Sequence, residues 1–157
     1  MHSRPDRTES ADYYFTYIDK VGDGDIVETL RRQESEFRTL LEGISEERSL
    51  HRYEPGKWSI REVMAHVNDT ERMFLFRALW FARGLDQPLP SFDQDVALRA
   101  AAADARSWKS HVDEFASIRA ATVAFFAHLP EDAWGRRGTA SGNPFTVRAR
   151  WELETLS

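Results

Sequence analysis

The sequence predicts an all-α fold, a helical bundle. Three stretches carry apolar residues at helical spacing, and a fourth carries a helix start. No stretch alternates polar and apolar residues with the period of two that a half-buried strand requires. The hydrophobic share of 41% over 157 residues is enough for one domain with a real core.

The chain opens with a polar arm, residues 1–19, expected to be loose over its first dozen residues. Its aromatic patch, Tyr13, Tyr14, Phe15 and Tyr17 with Ile18, is expected to tuck against a domain spanning 20–157. Gly22 and Gly24 break the chain, and Asp25 is a plausible cap for the first long helix. Ile26, Leu30, Phe37, Leu40, Leu41 and Ile44 form its stripe, and Gly43 and Ser45 mark its exit. Residues 45–58 read as a connector in which His51 is solvated.

The second helix carries the strongest start signal. Ser59 with Glu62 three residues on is a capping box, and Trp58 with Val63 can form a hydrophobic staple. Ile60, Val63, Met64, Val67, Phe74, Ala78 and Ala82 recur at helical spacing, and Gly84 is a good stop. Met73, Phe76 and Trp80 make a second apolar face, which predicts a central, buried helix. On such a helix polar residues need a reason. His66 lies on the flank of the first stripe and Glu71 near its middle. A buried lone carboxylate is costly, so Glu71 is expected to be paired, with Arg119, Arg148 or Arg150 as candidates.

Residues 85–95, LDQPLPSFDQD, are a longer loop. Asp93 and Asp95 could be oxygen ligands for a hard cation or caps for the Ala-rich segment that follows, which favours capping. That segment reads as a short helix or the lead-in to a third helix over about 104–128. Trp108, Val112, Phe115, Arg119, Thr122 and Phe126 keep its period. His111 and His128 on it are too far apart to share a metal and read as structural or solvated. Pro130 closes it, and a loop with a turn at Ser141-Gly142-Asn143-Pro144 follows. Phe145-Thr146-Val147-Arg148 then echoes Trp58-Ser59-Ile60-Arg61 as the start of a fourth helix. With the chain stopping at Ser157, that helix is expected to be short and to leave apolar surface open to self-association as a homodimer.

Composition bounds the chemistry. With no cysteine there is no disulfide, thiolate ligand or cysteine nucleophile. A net charge of −5 without a basic stripe gives no case for nucleic acid. No apolar run is long enough to span a membrane and the N-terminus has no apolar signal core, so a cytoplasmic protein is expected.

KWSIREVMAHVNDTERMFLFRALWFARG, then PLPSFDQD, then RRGTASGNPFTVRA, together resemble the DinB/YfiT-like superfamily over roughly residues 20–150. The resemblance implies a four-helix bundle with a long connection between its second and third helices. It implies a divalent metal, zinc or nickel, held by three histidines, that activates a low-molecular-weight thiol or a water in S-transferases, isomerases or hydrolases. The first of those ligands falls on His66. The other two form a His-x-x-x-His pair on the fourth helix, at about Ser157 by count, whereas the tail here reads RWELETLS. Metal binding is therefore expected to be weak or absent in this chain, since one imidazole does not make a zinc site. His66 with Asp69 could form a weak site, and Asp69, Glu71, Asp93 and Asp95 are candidates for shaping the pocket of a small-molecule substrate. Two functions follow: a DinB-like metal-dependent thiol transferase or hydrolase impaired by missing ligands, or a non-catalytic bundle that acts as an interaction module.

Overall fold

A computed structural model describes residues 5–20 and 24–149. Its helices are α1 (Asp12–Ile18), α2 (Ile26–Glu42), α3 (Ile60–Ala82), α4 (Gln94–Ala101) and α5 (Trp108–Ala127), followed by strands β1 (Arg137–Ala140) and β2 (Asn143–Thr146). Residues 147–149 begin the fourth helix of the bundle formed with α2, α3 and α5. The length of that helix and the apolar surface expected from its shortness lie outside the described residues. Among those residues, no helix is long and apolar enough to cross a membrane.

Local chemistry sets the helix ends. Asp25 accepts from the Val27 and Glu28 amides and starts α2. Ser59 accepts from the Glu62 amide while the Glu62 carboxylate accepts from Ser59 N, so the capping box expected at α3 is formed in both directions. At the other end of α3 the Gly84 and Leu85 amides bond back to Phe81 O and Trp80 O, a Schellman closure. The expected staple does not form. Trp58 packs with Ala65, Leu98 and Ala103 instead, and Val63 is exposed.

Two large clusters make the core. Leu41, Met64, Trp108, Val112 and Phe115 join the C-terminal end of α2 to the N-terminal ends of α3 and α5. Leu30, Phe81 and Phe126 sit in the cluster at the opposite end. It follows that α3 and α5 run parallel, with α2 antiparallel to both. A parallel pair needs a connection that travels back the full length of α3, about 35 Å by helical rise. Residues 83–107 are that connection. Leu89 pairs in passing with the hairpin, α4 sets Leu98 against Ala65, and Ala102 in a left-handed conformation (φ 47°) separates α4 from α5. The third long helix therefore starts at Trp108, capped by Ser107, rather than near Asp104.

Three further expectations are corrected. The N-terminal arm is structured from its first described residues. Asp6 caps a short turn and Arg7 pairs with Asp19 and lies over Phe15, while the burial of Phe15 and Ile18 in the core agrees with the tucking expected of the aromatic patch. The second apolar face of α3 is only partly core, because Phe76 is half exposed while Met73 is half-buried and Trp80 packs against the cluster around Phe81. The loop after Pro130 contains the β1–β2 hairpin, joined through Ser141 and Gly142, both at positive φ as a type I′ turn requires. Arg77, buried on α3, donates to Pro90 O (2.7 Å) and Ser141 Oγ (3.2 Å) and so ties the crossover loop and the hairpin tip to the bundle.

The hairpin lies directly on α3. A Cβ at Gly138 would stand 1.9 Å from Phe81 Cδ1, and Phe81 is fully buried in the core. Gly138→Ala should therefore destabilise the fold by about 1–3 kcal/mol through overpacking. An unchanged urea midpoint would contradict this docking of the hairpin.

Candidate functional site around His66

His66 lies in the second turn of α3, half-buried, with its ring centroid 5.1 Å from that of Trp58. Its Nδ1 is 3.5 Å from Thr70 Oγ1, one turn on. Burial holds the imidazole below its ordinary 6.5, against the opposing pull of the Asp69 and Asp95 carboxylates. At neutral pH it is thus a neutral ring with a nitrogen lone pair to offer. Asp69, also half-buried, is pushed above its ordinary 3.8 by burial, with the Arg72 cation opposing.

Beside these residues is a charged cluster that links α3 to α5. Glu114 accepts from Arg72 Nη2 (2.5 Å) and Arg106 Nη2 (2.6 Å), and Asn68 donates to its carboxylate and to His111 O. Nothing in the apolar period of α5 singles out Glu114. Its position between Val112 and Phe115, at the edge of the buried stripe, was the available signal.

The other sequence candidates have separate roles. Glu71 is buried at 3% exposure and paired with Arg119, itself at 5%, on the α3–α5 interface. The pairing expected for it is met by the first candidate, and Glu71 points into the core rather than toward His66. Asp93 caps α4, accepting from Asp95 N (3.1 Å) and Val96 N (3.0 Å). Asp95 is exposed on the first turn of α4 and is the member of that loop whose charge reaches His66. His111 is fully buried with Nε2 3.0 Å from Ala103 O, and His128 Nδ1 lies 2.8 Å from Ala124 O, both structural as read. His51 is exposed in its loop.

A divalent metal needs three or four converging donors. The donors near His66 are one imidazole and the Asp69 and Asp95 carboxylates. Among the described residues, no group of three or more His, Asp or Glu side chains could hold a metal ion. The described residues alone therefore do not fit a metal centre.

The family model of the DinB superfamily matches residues 29–154. The chain belongs to the DinB superfamily. No curated protein matches its sequence. Among solved structures, YfiT from Bacillus subtilis, described as a probable metal-dependent hydrolase with an unusual four-helix bundle topology, is similar with a TM-score of 0.74. The similarity covers 99% of this chain and 85% of that one at 12% identity, so it shows the fold alone. The parallel α3–α5 pair and the long crossover are this DinB-type bundle seen from the sequence upward.

The charged cluster generates a pH prediction. Burial pushes the Glu114 carboxyl up, but hydrogen bonds from Arg72 and Arg106 outweigh it and hold the group below its ordinary 4.5. A depressed carboxylate contributes stability above its unfolded value that is lost as pH falls through the folded one. Glu114→Gln should lower stability at neutral pH and flatten the fall in stability below pH 4.5. Chemical denaturation at a series of pH values reads this out. A parallel shift of the whole pH profile would show that Glu114 does not titrate this way.

Proposed function

We propose that this chain is a metal-dependent thiol transferase or hydrolase domain of the DinB type, with His66 as the imidazole contributed by α3. The observation that carries the reading is His66 itself, a half-buried imidazole held neutral on the central helix of a DinB-superfamily fold. The description of YfiT as a probable metal-dependent hydrolase supports the same reaction class. The substrate is a small molecule, accompanied by a low-molecular-weight thiol in the transferase branch. Among the described residues one imidazole is in reach, so they supply a single nitrogen ligand toward such a site.

A second reading, a non-catalytic bundle that serves as an interaction module, is favoured by one specific observation: the carboxylates near His66 do not complete a ligand set among the described residues. Metal content separates the two. Calorimetric zinc titration should give weak binding for the chain as given, weaker binding still for His66→Ala, and tight binding once a His-x-x-x-His pair is appended downstream of Ser157. Tight binding by the appended chain that survives His66→Ala would remove His66 from the ligand set. Absence of any zinc binding in the appended, folded chain would favour the non-catalytic reading.

A further inference from the structure

A pocket of about 250 Å³ opens where the connector before α3 faces α4, with Lys57, Trp58, Asp95, Leu98 and Arg99 in its lining. It is below the roughly 300–1,000 Å³ of pockets for drug-sized ligands, so its occupant is small. Trp58 and Leu98 supply the apolar surface, and both belong to the same small core cluster, which holds them in place.

The charges around this pocket are unequally committed. Arg52 is bound to Glu62, Asp104 and Lys57 O, so its single charge is already shared between two carboxylates at the rim. Arg99 makes no hydrogen bond or ion pair among the described residues, although Asp95 stands one turn away on the same helix. Lys57 is exposed, with its ammonium 6.0 Å from the Tyr53 ring and no carboxylate partner. Two free cations and one carboxylate, Asp95, therefore face a small cavity with an aromatic wall.

We propose that this pocket binds a small organic carboxylate, its apolar body against Trp58 and Leu98 and its charge held by Arg99 and Lys57. Arg99 can take the carboxylate in a two-pronged grip, and Lys57 adds a point charge. Asp95 repels the same carboxylate and so turns the opposite end of the ligand toward its own side. Because the Trp58 ring also packs at a tilt against His66, the occupied pocket borders the candidate site without using any metal ligand. The proposal stands apart from the metal reading and does not require it.

The test is calorimetric titration with phenylacetate, its neutral amide phenylacetamide, and the cation benzylamine, repeated with zinc present. Phenylacetate should bind saturably, and phenylacetamide about tenfold more weakly. Arg99→Gln should weaken phenylacetate about fivefold, and Lys57→Gln less, because it supplies no paired hydrogen bonds. Arg32→Gln, an exposed arginine on α2, is the control and should change nothing. Zinc should leave the phenylacetate affinity unaltered, which separates this proposal from the fate of His66 as a ligand. Four results would each overturn it: no saturable binding up to about 20 mM, equal binding of acid and amide, indifference to Arg99→Gln, or a preference for benzylamine, which would make Asp95 the recognising group.

Discussion

The pair Glu71–Arg119 is the constraint on which the bundle turns. Each residue lies eleven positions past the first residue of its helix, so the pair sets α3 and α5 side by side at equal height. Arg119 Nη2 and Nε donate to Glu71 Oε2 at 2.9 and 3.2 Å, and the guanidinium lies 5.2 Å from the Phe115 ring centroid. Glu71 Oε1 is 2.9 Å from Nε but out of line for a hydrogen bond, and Arg119 Nη1 has no acceptor among the described residues. Desolvating two charges costs about as much as their attraction returns, so such a pair adds little net stability. Its effect is on register: a slip of α3 along α5 would separate two buried charges, which is far more costly than the loss of any apolar contact.

A second polar anchor holds the N-terminal end of α3. Arg61 is buried and uses all five of its donors, on Ser49 Oγ, Asp104 O, Arg106 O, and the backbone and carboxylate of Glu46. Glu46 in turn accepts from Trp108 N at the start of α5. One carboxylate thus joins the connector, α3 and α5, and Ser59 Oγ adds a bond to Asp104 Oδ1. Between these two anchors lies the turn that carries His66. Its burial against Trp58 lowers its basicity, and the Asp69 and Asp95 carboxylates oppose that shift.

Much of this was legible in the residues. Ser59 and Glu62 declared the start of α3, Asp25 and Asp93 declared caps, and Glu71 on an apolar stripe demanded a cation that Arg119 supplies. These readings succeeded because each depends on local spacing or on the cost of one buried charge. The hairpin was missed because its strands are four residues long and carry Gly138 and Pro144, which suppress a strand pattern; tertiary packing on Phe81 makes them strands. The tucking of the aromatic patch was legible, whereas the ordered turn after Asp6 was missed because its partners are distant in sequence: Thr146 Oγ1 donates to Glu9 and Arg137 donates to Thr8 O. At the site, His66 came from a resemblance, the reach of Asp95 came from the packing of α4 on α3, and the Arg72–Glu114–Arg106 cluster came from the parallel packing of α3 and α5, none of which a local pattern encodes.

The central claim is that buried charge, more than apolar area, sets the register of α3 against α5. A double-mutant cycle on Glu71→Leu and Arg119→Leu measures it most directly by denaturation. Each single replacement should cost about 3–5 kcal/mol because it strands a buried charge, while the double replacement should cost much less than the two together. Strictly additive losses would contradict the account, since they would mean that neither charge depends on the other for its place in the core.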